Sequence, residues 1–362
     1  MSGTRLHVLR IYERLPPEPG GMERHIAELT AAQRKLGVKV TSIHNTGSAD
    51  ADSIQILKPF ALYRMRPAWL RNLLFYAAIA RHREFFQRTN VDVVHAHGGW
   101  SAFFLAGALA RAIRAPVVAA SVHGFIKPRP ALHRWAMKKC DPVFATGLTE
   151  VRYFNRILAG TAYHLPSAPS DLFFAPPAHD AERADVIVAG NLMPVKRTEL
   201  VLQCAKRRPN LRFSIYGDGP ERARLESLKA ENGLGNVTFH GLTTLEHIHS
   251  AMCCAKLFLN VSQTEGSPTA ALEAMACGLP VVLTPSNDYS ALVRAEKNGI
   301  VTGGWDIEEI TAAIDRCLSD EDQRREMGGR ARKVAHEHRW EAKARFVTEA
   351  MMNVLEKRTG RG

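Results

Sequence analysis

The most informative chemical feature of the sequence is a pair of glutamates, Glu265 and Glu273, in the segment TEGSPTAALEAMACGLP. The pattern predicts a strand that ends at Val261, a turn, and a helix that begins near Thr269. A helix amino terminus carries unpaired N–H groups and a partial positive charge, so it can bind a phosphate. Glu273 could accept two hydrogen bonds from a ribose diol, and Glu265 could bind a second polyol. The segment therefore predicts either a clamp for a nucleotide sugar or an ordinary capped helix with exposed carboxylates.

The elements around this segment alternate between strands and helices. Residues 6–11 predict a first strand, which is followed by the Gly20-Gly21 turn, a helix over 22–36 and a second strand from Gly37. This is the pattern of a βαβ unit with parallel strands. The alternation resumes near residue 184. We therefore predict an α/β fold of two doubly wound Rossmann-like domains, whose ligands bind outside the carboxyl ends of the strands.

The boundary between the two domains is predicted from composition. Residues 165–182 contain four prolines and little periodicity, which is typical of a linker. The amino-terminal domain is accordingly expected over residues 1–165, the linker over 166–182, and the carboxyl-terminal domain over 183–339. A length of 362 residues is consistent with two domains.

The charge of the chain is unevenly distributed. The net charge is +12, and residues 1–165 hold 23 basic and 10 acidic residues. Such an excess indicates an anionic partner for this half, or else a solvated basic face. Hydrophobic residues make up 46% and charged residues 23%, which excludes a disordered, collagen-like or coiled-coil chain. We expect no nucleic-acid partner, because no recognised nucleic-acid-binding motif accompanies the charge.

Residues 58–88 combine arginines with aromatic residues. They contain seven basic residues and one acidic residue, interleaved with Trp69, Phe75, Tyr76, Phe85 and Phe86. Such a composition on an amphipathic helix suits the surface of an anionic membrane. Alternatively, the aromatic side chains belong to the core of the domain and the arginines face water.

The remaining composition bears on the compartment. The longest apolar stretch, residues 100–110, is too short to cross a bilayer. The amino terminus lacks the apolar region of a secretory signal, and the six cysteines form no C-x-x-C pair. We expect reduced thiols and a cytoplasmic protein, either free or on the inner face of the cell membrane.

His95 and His97 lie two residues apart on a predicted strand and therefore share one face. The pair could be half of a metal site, or one packed histidine beside one that lines a ligand site. Apart from Asp92, no acidic residue or cysteine lies nearby in the sequence, and we expect no metal site.

The segment EGSPTAALEAMACGLPVV closely resembles the E-x7-E segment of the retaining family 4 glycosyltransferases, which have the GT-B fold of two Rossmann-like domains that face each other across a cleft. The resemblance covers nearly the whole chain. It includes PGGMERH, VDVVHAHGGW, SVHGF, VAGNLMPVKR, SIYGDGPER, TFHGL, Asn298-Gly299 and Trp340-Glu341. It also implies that a last helix, residues 340–362, packs back on the amino-terminal domain.

The resemblance implies roles for individual residues. Lys196 would contact the diphosphate and neutralise leaving-group charge, Glu265 would bind the transferred sugar, and His123 would lie near its reacting carbon. The implied donor-binding residues are Gly21, Asn191, Lys196, Arg197, Gly266, Ser267, Pro268, Thr269, Ala270, Ala271, Leu272 and Glu273. The residues expected to bind the acceptor are His97, Lys127 and Arg129.

The sequence departs from the family pattern at two places. Asn191 stands where the family often has an arginine, so leaving-group stabilisation depends more on Lys196, with Arg197 as a helper. Asn287-Asp288 and Ala291 replace a Gly-Gly pair and a glutamate, which affects the expected donor contacts there.

The expected reaction is transfer of a sugar, with retention, from a nucleotide diphosphate sugar to a hydroxyl of a glycan or an anionic, lipid-linked saccharide. No D-x-D motif is flanked as a metal site, so we expect metal independence and no cofactor, with a slight preference for a UDP-sugar over a GDP-sugar. One alternative is a nucleotide-sugar epimerase or hydrolase on the same fold. Another is a non-catalytic, membrane-associated binding protein.

Overall fold

The computed structural model describes residues 6–16, 21–47, 52–57, 62–123, 127–158, 161–179, 181–265, 268–285 and 289–360. The chain divides into two units, Met1–Pro166 together with Trp340–Gly362, and Ser167–Arg339. In each unit the described strands form one parallel sheet. This confirms the predicted fold class of two Rossmann-like α/β domains.

The first unit follows the βαβ pattern that the sequence predicts. Its described elements are β1 (His7–Ile11), α1 (Gly21–Lys35), β2 (Lys39–His44), β3 (Ser53–Gln55), α2 (Ala68–Ala80), α3 (Arg83–Arg88), β4 (Val93–His97), α4 (Trp100–Ile113), β5 (Val117–Val122), α5 (Pro130–Met137), β6 (Val143–Ala145), α6 (Leu148–Ile157) and β7 (Ala162–His164). The strand order is β3-β2-β1-β4-β5-β6-β7. The order reverses between β1 and β4, and such a switch point is where open α/β sheets bind ligands.

The second unit repeats this arrangement. Its described elements are β8 (Val186–Ala189), α7 (Thr198–Arg207), β9 (Phe213–Tyr216), α8 (Arg222–Glu231), β10 (Val237–Gly241), α9 (Leu245–Cys254), β11 (Leu257–Asn260), α10 (Thr269–Ala276), β12 (Val281–Leu283), α11 (Tyr289–Glu296), β13 (Gly299–Val301), α12 (Ile307–Leu318) and α13 (Glu321–Glu337). The strand order is β10-β9-β8-β11-β12-β13, so the switch point lies between β8 and β11.

The last helix, α14 (Trp340–Thr359), belongs to the first unit although it follows the second in the chain. It packs along α1. The Gln33 side-chain amide donates a hydrogen bond to Thr348 Oγ1 at 2.9 Å, and the ring of Trp340 meets the ring of His25 edge to face. The apolar face of α14 is therefore buried within the first unit.

The proline-rich segment that we predicted as a linker is packed on the second unit. Residues 171–174 form a 3₁₀ turn in which Phe173 is fully buried and Phe174 is nearly so. The guanidinium of Arg339 lies over the Phe174 ring, 4.1 Å from its centroid. Burial of two adjacent phenylalanines outweighs the loop-forming tendency of the prolines, so the second unit begins at Ser167 rather than at residue 183.

Candidate active site

In the second unit, a cavity lies at the carboxyl ends of β8 and β11, where the strand order reverses. Asn191 and Lys196, both predicted to bind the donor, line this cavity. The turn that carries them depends on a close backbone approach. Gly217 has φ +125°, and a Cβ at this position would collide with the carbonyl oxygen of Gly190. A glycine is therefore required beside the cavity.

Lys196 and Glu265 are brought together in this site. Lys196 closes a 3₁₀ turn over residues 194–196, and its ammonium donates a short hydrogen bond to Glu265 Oε1. Glu265 Oε2 accepts hydrogen bonds from Asn260 Nδ2 and Ser262 Oγ, each at 2.9 Å. Three hydrogen-bond donors, from Lys196, Asn260 and Ser262, thus hold the Glu265 carboxylate in place. The charges of Lys196 and Glu265 offset each other in this ion pair.

Asn260 and Ser262 are site residues that sequence reasoning missed. Both lie at the carboxyl end of β11, and the Ser262 carbonyl is itself fixed by Thr284 Oγ1 at 2.9 Å and by Trp305 Nε1 at 3.1 Å. The sequence indicates them only through a change in polarity: the buried residues Leu257 to Leu259 are followed by polar residues three to five positions before Glu265. Polar side chains that directly follow a buried parallel strand lie at the ligand-binding edge of the sheet.

Glu273 is buried on the second turn of α10, with only 3% of its surface exposed. A capped helix with exposed carboxylates was the alternative interpretation, and it is wrong for this residue. Burying an ionised carboxylate costs free energy unless polar groups compensate for the lost water. A carboxylate retained in such a position is therefore a candidate for ligand binding.

The amino end of α10 differs in detail from the expected phosphate site. Pro268 is the N-cap residue, and its carbonyl oxygen already accepts hydrogen bonds from the N–H groups of Ala271, at 3.0 Å, and Leu272, at 3.4 Å. A phosphate at this end would therefore meet the amides of Thr269 and Ala270 first, and the expected contacts of the Ala271 and Leu272 amides with the diphosphate stay predictions. Leu272 and Ala271 are fully buried core residues.

Other predicted positions are not among the described residues that line this cavity. Gly266 and Ser267 lie outside the described residues, as does the Asn287-Asp288 pair. Arg197 adopts a left-handed conformation, with φ +50°, and its guanidinium lies 3.6 Å from Glu199 Oε1. In the first unit, a Cβ at Gly21 would meet no protein atom within 4 Å, so nothing in the described structure requires a glycine there.

In the first unit, histidines gather at the carboxyl ends of β4 and β5. The Nδ1 atom of His97 and the Nε2 atom of His123 are 3.0 Å apart, so one ring donates a hydrogen bond to the other. The His25 ring from α1 meets the His123 ring edge to face, 4.7 Å between centroids. His97 also lines the cavity at the β1–β4 switch point.

His95 is buried more deeply than His97. Its Nε2 atom is 2.8 Å from Ser121 Oγ, and its Nδ1 atom is 3.4 Å from the guanidinium of Arg10. Both ring nitrogens are therefore engaged by the protein. Of the two alternatives for this pair, the structure matches a packed histidine beside a cavity-lining one.

These histidines are held neutral by their surroundings. Burial lowers the pKa of His123 to about 4. Burial also lowers the pKa values of His25, His95 and His97 well below 6.5, and the charge of buried Arg10 adds to the effect. At neutral pH the cluster therefore offers uncharged imidazoles, which can donate and accept hydrogen bonds.

Acid is expected to destabilise the first unit because of this cluster. In the unfolded chain these histidines take up protons near pH 6.5, whereas the folded protein resists protonation down to about pH 4 at His123. The unfolded state then binds more protons, so the free energy of unfolding falls as the pH drops through this window, by up to about 1.4 kcal/mol per pH unit per histidine. Urea unfolding between pH 7.5 and 5 measures the slope. His97→Gln should reduce it and the exposed His82→Gln should not; a flat wild-type profile would contradict the prediction.

The cavity at the β1–β4 switch point has a volume of about 320 Å³ and is lined by charged side chains. Arg71 pairs with Glu13 at 2.7 Å, and Arg14 pairs with the buried Glu23 at 2.6 Å. Arg66 lines the same cavity. Sequence reasoning missed Glu13, Arg14 and their partners, because nothing in the sequence shows which dispersed charges converge at a switch point.

Lys127 and Arg129, which were predicted to bind an acceptor together with His97, line a neighbouring cavity of about 300 Å³. This second cavity shares Gly98 and Gly99 with the first. The three predicted acceptor residues thus fall in two adjoining cavities rather than in one.

The aromatic residues of the segment 58–88 are divided between two environments; residues 58–61 lie outside the described structure. Phe75, Tyr76 and Phe86 are buried in the core of the first unit. Trp69 and Phe85 are about half exposed, at 50% and 53%. The core interpretation is thus correct for three aromatics, and the other two remain available at the surface. No helix among the described residues is long and apolar enough to cross a membrane.

Two protein-family models match the chain, one in each of its two units. The family model described as Glycosyltransferase Family 4 matches residues 19–160, and that described as Glycosyl transferases group 1 matches residues 170–334. One relative is the alpha-D-kanosaminyltransferase of Streptomyces kanamyceticus. The two chains are 26% identical over 301 residues, which cover 73% of this chain and 77% of that protein.

One further relative and one solved structure also resemble this chain over most of its length. A GDP-mannose-dependent alpha-(1-6)-phosphatidylinositol monomannoside mannosyltransferase of Mycolicibacterium smegmatis is 27% identical over 286 residues, covering 70% of this chain and 75% of that protein. The structure of sucrose-phosphate synthase from Thermosynechococcus elongatus superimposes with a TM-score of 0.78 at 19% identity, covering 98% of this chain and all of the other. That level of identity supports the fold alone.

Proposed function

Because the chain belongs to the family 4 type of GT-B glycosyltransferases, we propose that it transfers a sugar, with retention and without a metal ion, from a nucleotide diphosphate sugar to a hydroxyl of a glycan or lipid-linked acceptor. The observation that carries the proposal is the Lys196–Glu265 pair at the β8–β11 switch point, beside the cavity that Asn191 lines. The proposal is supported by a cation that can meet a diphosphate beside a carboxylate that can accept hydrogen bonds from sugar hydroxyl groups.

Lys196 is proposed to act on the leaving group. Breaking the bond between the sugar and the diphosphate develops negative charge on the phosphate oxygens, and a preorganised cation stabilises that charge most effectively. In the donor-free protein this cation is paired with Glu265. A bound diphosphate would draw Lys196 away and leave Glu265 to accept hydrogen bonds from the hydroxyl groups of the transferred sugar.

Glu273 is proposed to bind the ribose, since its buried carboxylate lies one turn beyond the amides of Thr269 and Ala270. A ribose that bonds to Glu273 would place its diphosphate near the amino end of α10, where the helix dipole favours an anion. Phosphate charge would then meet Lys196 and this helix end, which are the groups that make a divalent cation unnecessary in the proposed mechanism.

His123 is proposed as a hydrogen-bonding partner of the transferred sugar. Because its pKa lies near 4, it is neutral at physiological pH and cannot act there as a fixed cation. Its contact with His97 orients the ring. No side chain is assigned as a covalent nucleophile, and retention is proposed to follow from attack on the face that the leaving group vacates.

For the acceptor, the proposal is an anionic or lipid-linked saccharide. Arg14, Arg66 and Arg71 line the larger cavity of the first unit, and Lys127 and Arg129 line its neighbour. The name of the related mannosyltransferase specifies a phosphatidylinositol monomannoside. Such a molecule combines a phosphate with an apolar tail, which agrees with basic cavities in this unit.

We also propose that the first unit contacts an anionic membrane through the outer surface of α2 and α3. Trp69, Leu73, Leu74 and Phe85 are exposed there, together with Arg81 and Arg83. Each arginine near an anionic surface contributes about 1 kcal/mol. Replacing both Arg81 and Arg83 by glutamate should therefore weaken binding by more than about 20-fold.

Co-sedimentation with vesicles of phosphatidylcholine and phosphatidylserine measures this binding. The control is Leu242→Ser, which removes the most exposed large apolar side chain of the second unit, at 71%. It should leave binding unchanged. Equal binding of the wild type to neutral and anionic vesicles, or no loss in the double variant, would contradict the membrane proposal without affecting the transferase proposal.

The proposed function is tested by turnover. The full chain is incubated in EDTA with UDP-glucose, UDP-N-acetylglucosamine or GDP-mannose, with and without phosphatidylinositol vesicles, and the release of nucleoside diphosphate is measured. We expect one donor, with UDP slightly favoured over GDP, to react only when acceptor is present. Release of nucleoside diphosphate without acceptor would identify a hydrolase, and conversion of the donor into another nucleotide sugar, detected by chromatography, would identify an epimerase. Donor binding with no turnover would support the non-catalytic alternative.

A further inference from the structure

A histidine and two cysteines converge in the second unit, outside the residues assigned to the donor. His249 and Cys253 lie four residues apart on one face of α9, and Cys277 caps the carboxyl end of α10. An imidazole nitrogen and the two sulfur atoms all lie within 4.8 Å of one another. Within the described ranges, no other group of three or more histidine, cysteine or acidic side chains has this spacing.

His249 lacks the partners that a buried histidine normally has. Its side chain is completely buried, and neither ring nitrogen makes a hydrogen bond of ordinary geometry in the described structure, although the backbone of Ala175 lies near the ring. Buried polar groups are satisfied in the great majority of proteins, so a ring of this kind requires an explanation. A neutral imidazole is the form that binds a metal.

The two thiols lie close to each other and to the His249 ring. The Cys277 thiol donates a weak hydrogen bond to the Phe173 carbonyl oxygen, at 3.7 Å. Both sulfur atoms belong to partly exposed residues, so an ion and a water molecule can reach them. A divalent cation bound here would displace the thiol protons and bind both sulfurs as thiolates.

We propose that His249, Cys253 and Cys277 bind one Zn²⁺ ion, with water as the fourth ligand. Zinc takes cysteine sulfur at about 2.3 Å and histidine nitrogen at about 2.0 Å in a tetrahedron, whose corners then lie within about 4 Å of each other. The observed spacing requires only small side-chain movements to reach this geometry. Two thiolates also neutralise the charge of the ion.

The proposed role of the ion is structural. The edge of the Phe173 ring meets the His249 ring, 5.5 Å between centroids, and the Phe173 carbonyl oxygen lies 3.7 Å from Cys277 Sγ. A bound ion would therefore join α9 and the carboxyl end of α10 beside the 3₁₀ turn over residues 171–174. It would lie at the opposite end of α10 from Thr269, so it is compatible with metal-independent transfer.

The test measures zinc and cobalt in the full-length protein, purified in reducing buffer without chelator, loaded with metal and desalted. Elemental analysis should find about one zinc per chain in the wild type. Cobalt should give the near-ultraviolet absorption of thiolate-to-metal charge transfer. Cys253→Ser and Cys277→Ser should each lose most of the zinc and this absorption, and zinc should raise the melting temperature of the wild type but not of these two variants.

Cys254→Ser is the matched control, because Cys254 is the next residue on the same helix and does not belong to the cluster. It should retain zinc like the wild type, and circular dichroism in EDTA should show that all variants fold. A folded wild type that retains no zinc would overturn the proposal. So would equal zinc retention in Cys253→Ser and Cys277→Ser, or thiol titration that finds a disulfide between these two residues in the purified protein.

Discussion

Replacement of Lys196 by methionine is expected to lower the rate of sugar transfer by about 10²–10³-fold. Methionine preserves the length and the apolar stem of lysine but removes the charge that would stabilise the leaving diphosphate. Asn191 is uncharged and Arg197 is paired with Glu199, so no other cation among the described residues of the cavity replaces the loss. Steady-state kinetics at saturating donor measures the effect.

Lys206→Met is the control for this variant. Lys206 lies on α7 of the same unit and donates a hydrogen bond to Asn232 at the surface, so its loss should not change the rate. If the transfer rate of Lys196→Met lies within about threefold of the wild-type rate, the assigned role is contradicted. Loss of an essential electrostatic donor should have a much larger effect.

Replacement of Glu265 by glutamine is expected to change binding and turnover in opposite directions. In the donor-free protein, Glu265 holds Lys196 in a partly exposed ion pair. Breaking such a pair costs on the order of 1 kcal/mol, so an uncharged partner should let UDP bind about fivefold more tightly. Transfer should nevertheless slow by about 10–100-fold, because the sugar loses a charged hydrogen-bond acceptor.

Calorimetric titration with UDP and steady-state turnover measure the two effects separately. The control is Glu199→Gln, since Glu199 is also a partly exposed carboxylate paired with arginine but lies outside the cavity. It should change neither quantity. If Glu265→Gln weakens UDP binding and turnover together, Lys196 is not held by Glu265 in the way the structure indicates.

The architecture could be predicted because hydrophobic periodicity determines it locally. The helix expected over residues 22–36 occurs at Gly21–Lys35, and the helix expected to begin near Thr269 begins at that residue. The segment after residue 165 was harder, because its prolines indicate a loop while Phe173 belongs to the core. Only the tertiary packing determines whether the prolines or the adjacent phenylalanines set the structure of this segment.

The site could be predicted only in part. Glu265 and Glu273 were found from a segment with specific spacing, whereas the role of Lys196 came from the resemblance to the family. The structure brings Lys196 to Glu265 although 69 residues separate them. Asn260 and Ser262 carried weaker signals, because asparagine and serine after a strand are also common in ordinary turns. The sequence did not indicate the His249–Cys253–Cys277 cluster, because Cys277 lies at the end of a different helix from the other two residues.

The surface of residues 58–88 shows a further limit of periodicity. Trp69, Leu73 and Leu74 lie on α2 beside Phe75 and Tyr76, so apolar residues occupy both faces of the helix. A sequence pattern cannot tell which face the core covers when both are apolar. The packing of α2 against α4 decides it, because this contact buries Phe75 and leaves Trp69 outside.

The central claim is that the second unit binds a nucleotide diphosphate through Lys196 and Glu273 without a metal ion. The most direct measurement is calorimetric titration of UDP and GDP, in EDTA, into the wild type, Glu273→Gln and the exposed control Glu231→Gln. We expect saturable binding to the wild type and the control, and at least about tenfold weaker binding to Glu273→Gln, because a charged hydrogen bond to the ribose is lost. Unchanged affinity in Glu273→Gln, or binding that requires a divalent cation, would contradict the claim.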